Sequence, residues 1–376
     1  SDNADTNEPN EPEVLYTALH HAREPESLMT VLYFMEKLLQ GYGKNPEITY
    51  LINHRQMWFI PIVNPDGYVY NQQTNPEGGG LWRKNRRQNS DGSFGIDLNR
   101  NYSLFWGFND FGSSPLPADE TFRGLSAFSE PETAAVRDFV NAHQFLLALN
   151  YHSFRNLWIY PWAFSNKETD DKMIFREYAR YMTRQNKYQI GTTFETLGYL
   201  ANGEAADWYY GELRFGQPKI IAMTPEIGGF IDNFWPSQNR ILPLAIENYN
   251  ANLELAWLAG GYIVVRNSSI VELSGNGNGI VEPAEQGSLR IELRNMGLKE
   301  TVKKISVSLS SAMAGVTVIT SNANYSDLKP FHNAVRNFDF VLNGSTPQNK
   351  PIEFEITINS EGTTLRKEIL NIKPGK

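Results

Sequence analysis

The sequence predicts an α/β domain with a mixed, largely parallel sheet flanked by helices, followed by an all-β sandwich. Three observations lead there. The chain has 376 residues, which is long for one ordinary domain and natural for two. Short apolar runs alternate with helical patterns from residue 14 to about 260, as in domains built on parallel strands. Beyond Tyr262 tryptophan disappears, Ser, Thr and Asn become frequent, and strict apolar/polar alternation takes over, the pattern of a sandwich. The boundary is expected near 261–267, giving a first domain of residues 1–261 and a sandwich of residues 262–376.

The opening SDNADTNEPNEPE (1–13) is polar and acidic and suits a surface loop or a tail. VLYTAL (14–19) then reads as a buried strand. Pro25, favourable in a first turn, opens a helix that should run to Gly41. MWFIPIV (57–63) is a second buried strand, and NPDGY (64–68) after it reads as a turn. Ser129 and Glu132 make a capping box ahead of a helix to about His143. FLLALNY (145–151) and KIIAMTP (219–225) are further strands, and 239–258 reads as one long helix. In the second domain SLRIELRN (288–295), KKISVSLSS (303–311), NFDFVLN (337–343) and IEFEITIN (352–359) alternate as half-buried strands.

Bulk composition narrows the function. A net charge of −8 without any Lys/Arg-rich run argues against nucleic acid or anionic membrane as partner. No stretch approaches the roughly 18 apolar residues of a membrane span. Cysteine is absent, so any zinc must sit on His, Asp or Glu.

Six histidines are present, and two of them follow strands directly. His21-Ala22-Arg23-Glu24 follows the first strand and His152 follows the strand at 145–151. Functional groups of open α/β sheets gather beyond the carboxyl ends of strands. An imidazole and a carboxylate three residues apart can converge on one ion. A distant histidine completes a three-ligand site with one open position, the catalytic pattern for zinc. H-x-x-E alone is common, and a strand-end histidine is more often a structural hydrogen-bonder, so the neighbouring motifs decide.

Those motifs are HARE (21–24), LWRKNRR (81–87), GIDLNRNY (95–102), FRGLSAFSEPET (122–133), NYHSF (150–154), YLANGEAADW (199–208) and TPEIG (224–228). In this order they resemble the zinc carboxypeptidases related to pancreatic carboxypeptidase A, also called funnelins. The resemblance implies the zinc carboxypeptidase fold, lacking its first edge strands because only 20 residues precede His21. It leaves the strand at 57–63 as a candidate exposed edge. It implies one Zn(2+) on His21, Glu24 and His152, with Asp97 orienting His21. Arg83 would lie near the substrate backbone and Arg86 at the scissile carbonyl. Asn99, Arg100 and the mobile Tyr199 would bind the terminal carboxylate, assisted by Arg23. Ser153 follows the third ligand as usual, while Phe154 stands where relatives have tyrosine. Glu226 would be the catalytic base.

These roles make chemical sense. A metal on two neutral imidazoles and one carboxylate keeps positive charge and acidifies its water, and Glu226 can take that proton and pass it to the leaving amine. An arginine fork on a free carboxylate makes the enzyme an exopeptidase acting on peptide or protein C-termini. By the resemblance, Ile159, Ala163, Ala201, Ala206 and Thr224 would line the side-chain pocket, favouring apolar or aromatic C-terminal residues. Glu204, if it turns inward, would admit Lys or Arg as well. Rival readings are a deacylase or cell-wall amidase, disfavoured by Asn99, Arg100 and Tyr199, and a non-catalytic peptide-binding module. In the sandwich, GNGNGIVEPAE (275–285) offers Asn276, Asn278, Glu282 and Glu285 as candidate Ca(2+) ligands. A monomer, extracellular or periplasmic, is the expectation from the resemblance and the appended sandwich.

Overall fold

The computed structural model describes residues 1–3, 8–213, 216–344, 346 and 350–373, so residues 4–7 of the polar opening lie outside the described set. The chain divides into two compact units, Ser1–Ala256 and Trp257–Lys376. Among the described residues no helix is long and apolar enough to cross a membrane.

The first unit runs β1 (Glu13–Ala18), α1 (Pro25–Gly41), α2 (Pro46–Ile52), β2 (Gln56–Ile60), α3 (Pro65–Thr74), α4 (Pro131–Asn141), β3 (Phe145–Tyr151), β4 (Leu157–Ile159), α5 (Lys172–Met182), β5 (Gln189–Gly191), α6 (Thr193–Leu197), α7 (Ala205–Gly211), β6 (Ile221–Glu226), α8 (Gln238–Glu247) and α9 (Tyr249–Ala259). The sheet order is β2-β1-β3-β6-β4-β5. The strands β2, β1, β3 and β6 are parallel, whereas β4 runs antiparallel to β6. All six residues of β1 are buried, the continuous burial of a strand covered on both faces. The mixed, mostly parallel sheet agrees with the expected class, and β2 is an edge strand.

Three local expectations are corrected. NPDGY is a helix start rather than a free turn: Asn64 Oδ1 accepts from the Gly67 amide at 3.0 Å, and Pro65 opens α3. Gly67 is required there, since a Cβ would stand 2.5 Å from the Lys84 carbonyl. Ser129 does not cap α4. Glu130 occupies the cap position, and the Ser129 hydroxyl donates instead to the Glu130 carboxylate at 2.7 Å. The long helix at 239–258 is two, broken at Asn248, whose side-chain amide donates to the Leu244 carbonyl and the Tyr188 hydroxyl. Pro243 inside α8 already removes one amide donor from that helix. The three-residue strands β4 and β5 are too short to leave a readable periodicity.

The second unit contains β7 (Ile263–Ser274), β8 (Gln286–Asn295), β9 (Ile305–Ser310), β10 (Val316–Val318), β11 (Asn322–Asn324), β12 (Asn333–Leu342), β13 (Ile352–Ser360) and β14 (Thr363–Ile372). They form two four-stranded sheets, β10-β12-β8-β7 and β11-β9-β13-β14, with antiparallel pairing. Alternate residues face one core: Leu289, Ile291 and Leu293 from β8 meet Phe338 and Phe340 from β12 and Phe354, Ile356 and Ile358 from β13.

One buried carboxyl in α1 makes stability depend on pH. Glu26 is 1% exposed, and neither carboxyl oxygen has a hydrogen-bond partner among the described residues. Burial, then Asp232 and Glu247, push its carboxyl from 4.5 up to about 9, with Arg240 opposing. A carboxyl raised on folding stabilises fully below its unfolded value, and that contribution is lost as pH rises through the folded value. Glu26→Gln should therefore flatten the fall in melting temperature between pH 5 and pH 9. At the alkaline end it should be more stable than the parent by on the order of 2 kcal/mol. Parallel stability profiles for the two proteins would refute the assignment.

Candidate functional site

Parallel pairing sets the site. Ala18 pairs with Tyr151 at the carboxyl ends of β1 and β3, and His152 forms a parallel bridge with Glu226, the last residue of β6. The chain ends of three neighbouring strands thus open on one edge. The turn from β1 into α1 carries His21 and Glu24, with Glu24 at the cap position of the helix.

His21 Nδ1 lies 2.8 Å from Glu24 Oε1, and His152 Nδ1 lies 3.0 Å from His21 Nδ1 and 2.9 Å from Glu24 Oε2. The three residues are at most 4% exposed. Donor atoms of a tetrahedral zinc with bonds near 2.0 Å stand roughly 3.3 Å apart, so this set fits zinc closely. Two nitrogen donors and one carboxylate on a thiol-free site also match its preference. Burial, then the Arg83 charge, hold the His21 imidazole below its usual range and hence neutral, as a ligand must be. Burial opposes ionisation of Glu24, but His21 and His152 outweigh it and keep its carboxyl below the ordinary value.

Behind the ligands stands Asp97. Its Oδ1 is 3.2 Å from His21 Nε2, and its Oδ2 accepts from Arg83 Nε and Nη2 at 3.0 and 2.8 Å. Despite complete burial, Arg83, His21 and Arg100 hold this carboxyl well below its usual range. On the other ring, His152 Nε2 faces the side-chain amides of Asn150 and Asn99 at 3.1 and 3.4 Å. His20 lies outside the triad; it stacks on His152 at 5.6 Å, and its Nε2 is 2.8 Å from the Tyr102 hydroxyl.

A cavity of about 350 Å³ opens over this centre. The structure brings to its walls His21, Glu24, His152, Arg23, Arg83, Asn99, Arg100, Ser153, Ile159, Tyr199, Ala201, Thr224 and Glu226. Arg100 is fixed by bonds from Nε to the Gly112 carbonyl and from Nη1 to the Asn99 carbonyl, at 3.0 and 2.7 Å. Burial, together with Glu24, raises the Glu226 carboxyl well above its usual value, and Arg83 offsets part of this. Tyr199 is half exposed at the rim.

Three of the expected positions fall elsewhere. Arg86 is not in the cavity; its guanidinium lies over the rings of Tyr70, Trp82 and Phe94, at 3.7, 4.5 and 4.6 Å. Arg83 stands by the metal ligands instead, because Asp97 clamps its head and the Ala22 amide donates to its carbonyl at 3.0 Å. Ala163 and Ala206 are likewise absent from the walls. The Ala163 amide donates to the Asp207 carboxylate, and Ala206 packs in the apolar core beneath α7. Glu204 lines the cavity in their place. It precedes α7 with extended backbone (φ −88°, ψ 149°), and its side chain makes no cap bond.

Sequence reasoning missed Thr193, Leu197, Arg155, Asn233 and Phe234, all of which also line the cavity. Thr193 and Leu197 bound the five-residue helix α6, too short to leave a readable periodicity, and Arg155, Asn233 and Phe234 lie on connections between elements. Three hydroxyls in the walls, those of Ser153, Thr193 and Thr224, are buried without a partner among the described residues.

The Gly/Asn loop of the sandwich does not present free ligands. Both oxygens of Glu272 accept the Gly277 and Gly279 amides, and both of Glu285 accept those of Asn276 and Glu282. The side-chain amides of Asn276 and Asn278 donate to Glu282. The loop is a turn capped by its own carboxylates, and calcium gains no support.

Replacing Glu24 by Gln or His152 by Ala should lower zinc affinity by about a hundredfold or more, read by competition with a chromophoric chelator. Asp97→Asn should leave all three ligands and cost about 10–100-fold. Unchanged affinity in the ligand variants would remove the metal centre.

Comparison with known proteins agrees with this geometry. The zinc carboxypeptidase family model matches residues 1–251. Carboxypeptidase A2 of Mus musculus is 32% identical over 237 residues, 61% of this chain and 54% of that protein. A zinc carboxypeptidase of Simulium vittatum is 30% identical over 249 residues, covering 64% of this chain and 78% of that one. Among solved structures, carboxypeptidase A from Helicoverpa armigera superposes with a TM-score of 0.56 at 27% identity, over 67% of this chain and 61% of that one. Bovine thrombin-activatable fibrinolysis inhibitor, in complex with tick carboxypeptidase inhibitor, gives 0.58 at 28% identity, over 66% and 82%. The chain spans about half the length of the mammalian carboxypeptidases it matches. The matched region contains both histidines, Glu24, the Asn-Arg pair and Glu226, and the chain belongs to the zinc carboxypeptidase family.

Proposed function

We propose that the protein is a zinc metallocarboxypeptidase that hydrolyses the C-terminal peptide bond of peptides or proteins. The observation that carries this reading is the presence, in one cavity, of the His21–Glu24–His152 triad, Glu226 and Arg100. Bound on that triad, zinc would supply an acidified water and a Lewis acid for the carbonyl.

The protein's own groups divide the remaining work. Glu226 is a half-buried carboxyl beside the triad with raised proton affinity, suited to accept a proton from water and return it to the departing amine. Arg83, locked by Asp97, holds a fixed positive charge where a carbonyl oxygen becomes negative, so no reorganisation is needed at that moment. Arg100 and Asn99 form the recognition end for a free carboxylate, which suits a guanidinium fork. Tyr199, half exposed at the rim, can fold over the bound end. An internal peptide bond brings no charge to Arg100, so exopeptidase action follows.

The side-chain pocket departs from a purely apolar one. Ile159, Leu197 and Ala201 provide apolar wall, while Glu204, Thr193 and Thr224 provide polar groups. Burial raises the Glu204 carboxyl above its usual value, partly offset by Arg100 and His152. The reading is mixed specificity: aliphatic or aromatic residues contact the wall, and Lys or Arg also lay their stems there with the charged head on Glu204.

Release of the last residue from blocked dipeptides ending in Phe, Leu, Lys or Arg tests the proposal. Release should be abolished by chelator and fall about 10²–10⁴-fold in Glu226→Gln. Glu204→Gln should lose Lys and Arg release about tenfold relative to Phe. Because its proton affinity is raised, Glu204 is neutral at lower pH and charged at higher pH, so the Lys-to-Phe ratio should climb with pH in the parent and stay flat in the variant. Equal ratios in both proteins would place Glu204 outside substrate recognition.

A further inference from the structure

Phe154, Arg155 and Phe234 line one side of the cavity that none of these roles uses, and Phe230 packs beside them outside it. Phe154 meets Phe234 at 4.9 Å and Phe230 at 6.1 Å between ring centroids. The Arg23 guanidinium lies 4.4 Å from the Phe234 ring and the Arg155 guanidinium 5.2 Å from that of Phe230. The two cations differ in their partners. Arg23 is paired with Glu120 at 3.3 Å. Arg155 is exposed, lines the cavity, and makes no side-chain hydrogen bond or ion pair among the described residues.

The turn beside it is held rigidly. The amides of Arg155 and Asn156 both donate to the Gly228 carbonyl, at 2.7 and 2.9 Å. Asp232 accepts the Gly229 amide at 2.9 Å and takes Arg240 Nε and Nη2 at 2.8 and 3.2 Å. Gly228 has φ +85°, a conformation that side-chain-bearing residues rarely adopt. This pinned turn holds Phe230 and Ile231 in solvent at 73% and 90% exposure. Large apolar side chains fixed outward beside a binding cavity constitute a contact surface.

Direction follows from the backbone around the two arginines. Arg100 follows Asn99, whose side-chain oxygen accepts the Ala205 amide next to Glu204 at 2.9 Å, whereas the Arg155 amide donates to the carbonyl of Gly228, two residues past Glu226. With the substrate carboxylate at Arg100 and the scissile bond at Glu226, the upstream chain leaves past Arg155. We propose that Phe154, Arg155 and Phe230 form an upstream subsite that takes an acidic side chain among the three residues preceding the one released. The aromatic rings carry the aliphatic part of that side chain, and the unpaired guanidinium takes its carboxylate. The net charge of −8 works against acidic peptides, so such a preference has to come from local cations, and on this wall Arg23 is already paired with Glu120. The subsite rests on the proposed peptidase reading for the direction of the chain.

The test uses the zinc-loaded protein and blocked tetrapeptides with one C-terminal residue, carrying Glu, Gln or Lys at each of the three upstream positions. The readout is kcat/KM divided by that for the blocked dipeptide with the same last residue, which normalises for folding and zinc content. Glu should exceed Lys about three- to fivefold at one position, as expected for a half-exposed ion pair, and the gap should shrink in 0.5 M salt. Arg155→Gln should bring the ratio near one, and Arg155→Glu should invert it. Equal rates for Glu and Lys peptides in the parent, or the same ratio in Arg155→Gln, would overturn the subsite. Should no peptide be cleaved by any form, the peptidase reading fails on its own. The subsite is then judged by fluorescence-polarisation binding of labelled Glu and Lys peptides with free C-termini. Tighter Glu binding lost in Arg155→Gln supports it, and equal binding overturns it.

Discussion

The parallel pairing of β1, β3 and β6 is the constraint from which the site follows. Parallel strands put their carboxyl ends on one edge of the sheet, and the register aligns Ala18 with Tyr151 and His152 with Glu226. Residues 131 apart in sequence, His21 and His152, therefore bring ring nitrogens to 3.0 Å. A register slip of one residue would turn every strand side chain to the opposite face, sending His152 and Glu226 away from the turn that holds Glu24. The metal-ligand triad and Glu226 are thus positioned by the same hydrogen-bond ladder, and the burial of β1 and β3 is what makes that ladder expensive to shift.

A second dependency is electrostatic. Asp97 is fully buried, which costs free energy unless its charge is met. Arg83 meets it with two hydrogen bonds, and His21 with one contact. The cost of burying the carboxylate is what fixes both partners: the imidazole is oriented for its ligand role, and the guanidinium is aimed into the cavity. Arg86, lacking a buried carboxylate, finds its stabilisation in a cage of three rings and is lost to the site. Two arginines three residues apart in LWRKNRR thus part company because one has an anion to answer to.

That contrast marks the limit of what the sequence could reveal. His21 and His152 stand out in the sequence because they follow strands, and strand ends have fixed positions in an α/β sheet, whereas the roles of Glu24 and Glu226 rest on the motifs that resemble the zinc carboxypeptidases. The sandwich was legible from alternation, since half-buried strands print their faces on the sequence. Arg83 and Arg86 lie on irregular backbone, where direction is set by partners distant in sequence. The break at Asn248 was hidden because its cause is a bond to the Tyr188 hydroxyl, 60 residues away. The wall made by Arg155, Asn233 and Phe234 comes from turns that are defined only once Gly228 and Asp232 have met.

The pocket shows how one helix start can decide specificity. Had α7 begun earlier, residue 204 would sit in regular helix; beginning at Ala205, it leaves Glu204 on extended backbone facing the cavity while Ala206 turns into the core. Glu204 and Arg100 both line the cavity with opposite charges, and on the proposed reading they face the substrate's last residue together. A C-terminal Lys or Arg brings one positive and one negative group, matching both walls with no net charge added to a buried space. An apolar residue brings only the carboxylate, and Glu204 must then be protonated or remain as an unanswered charge. Burial has already raised its proton affinity, so the neutral form is within reach and the apolar wall stays usable. On the proposed reading, the same desolvation that makes an acid costly in the pocket is what would let it serve two classes of substrate.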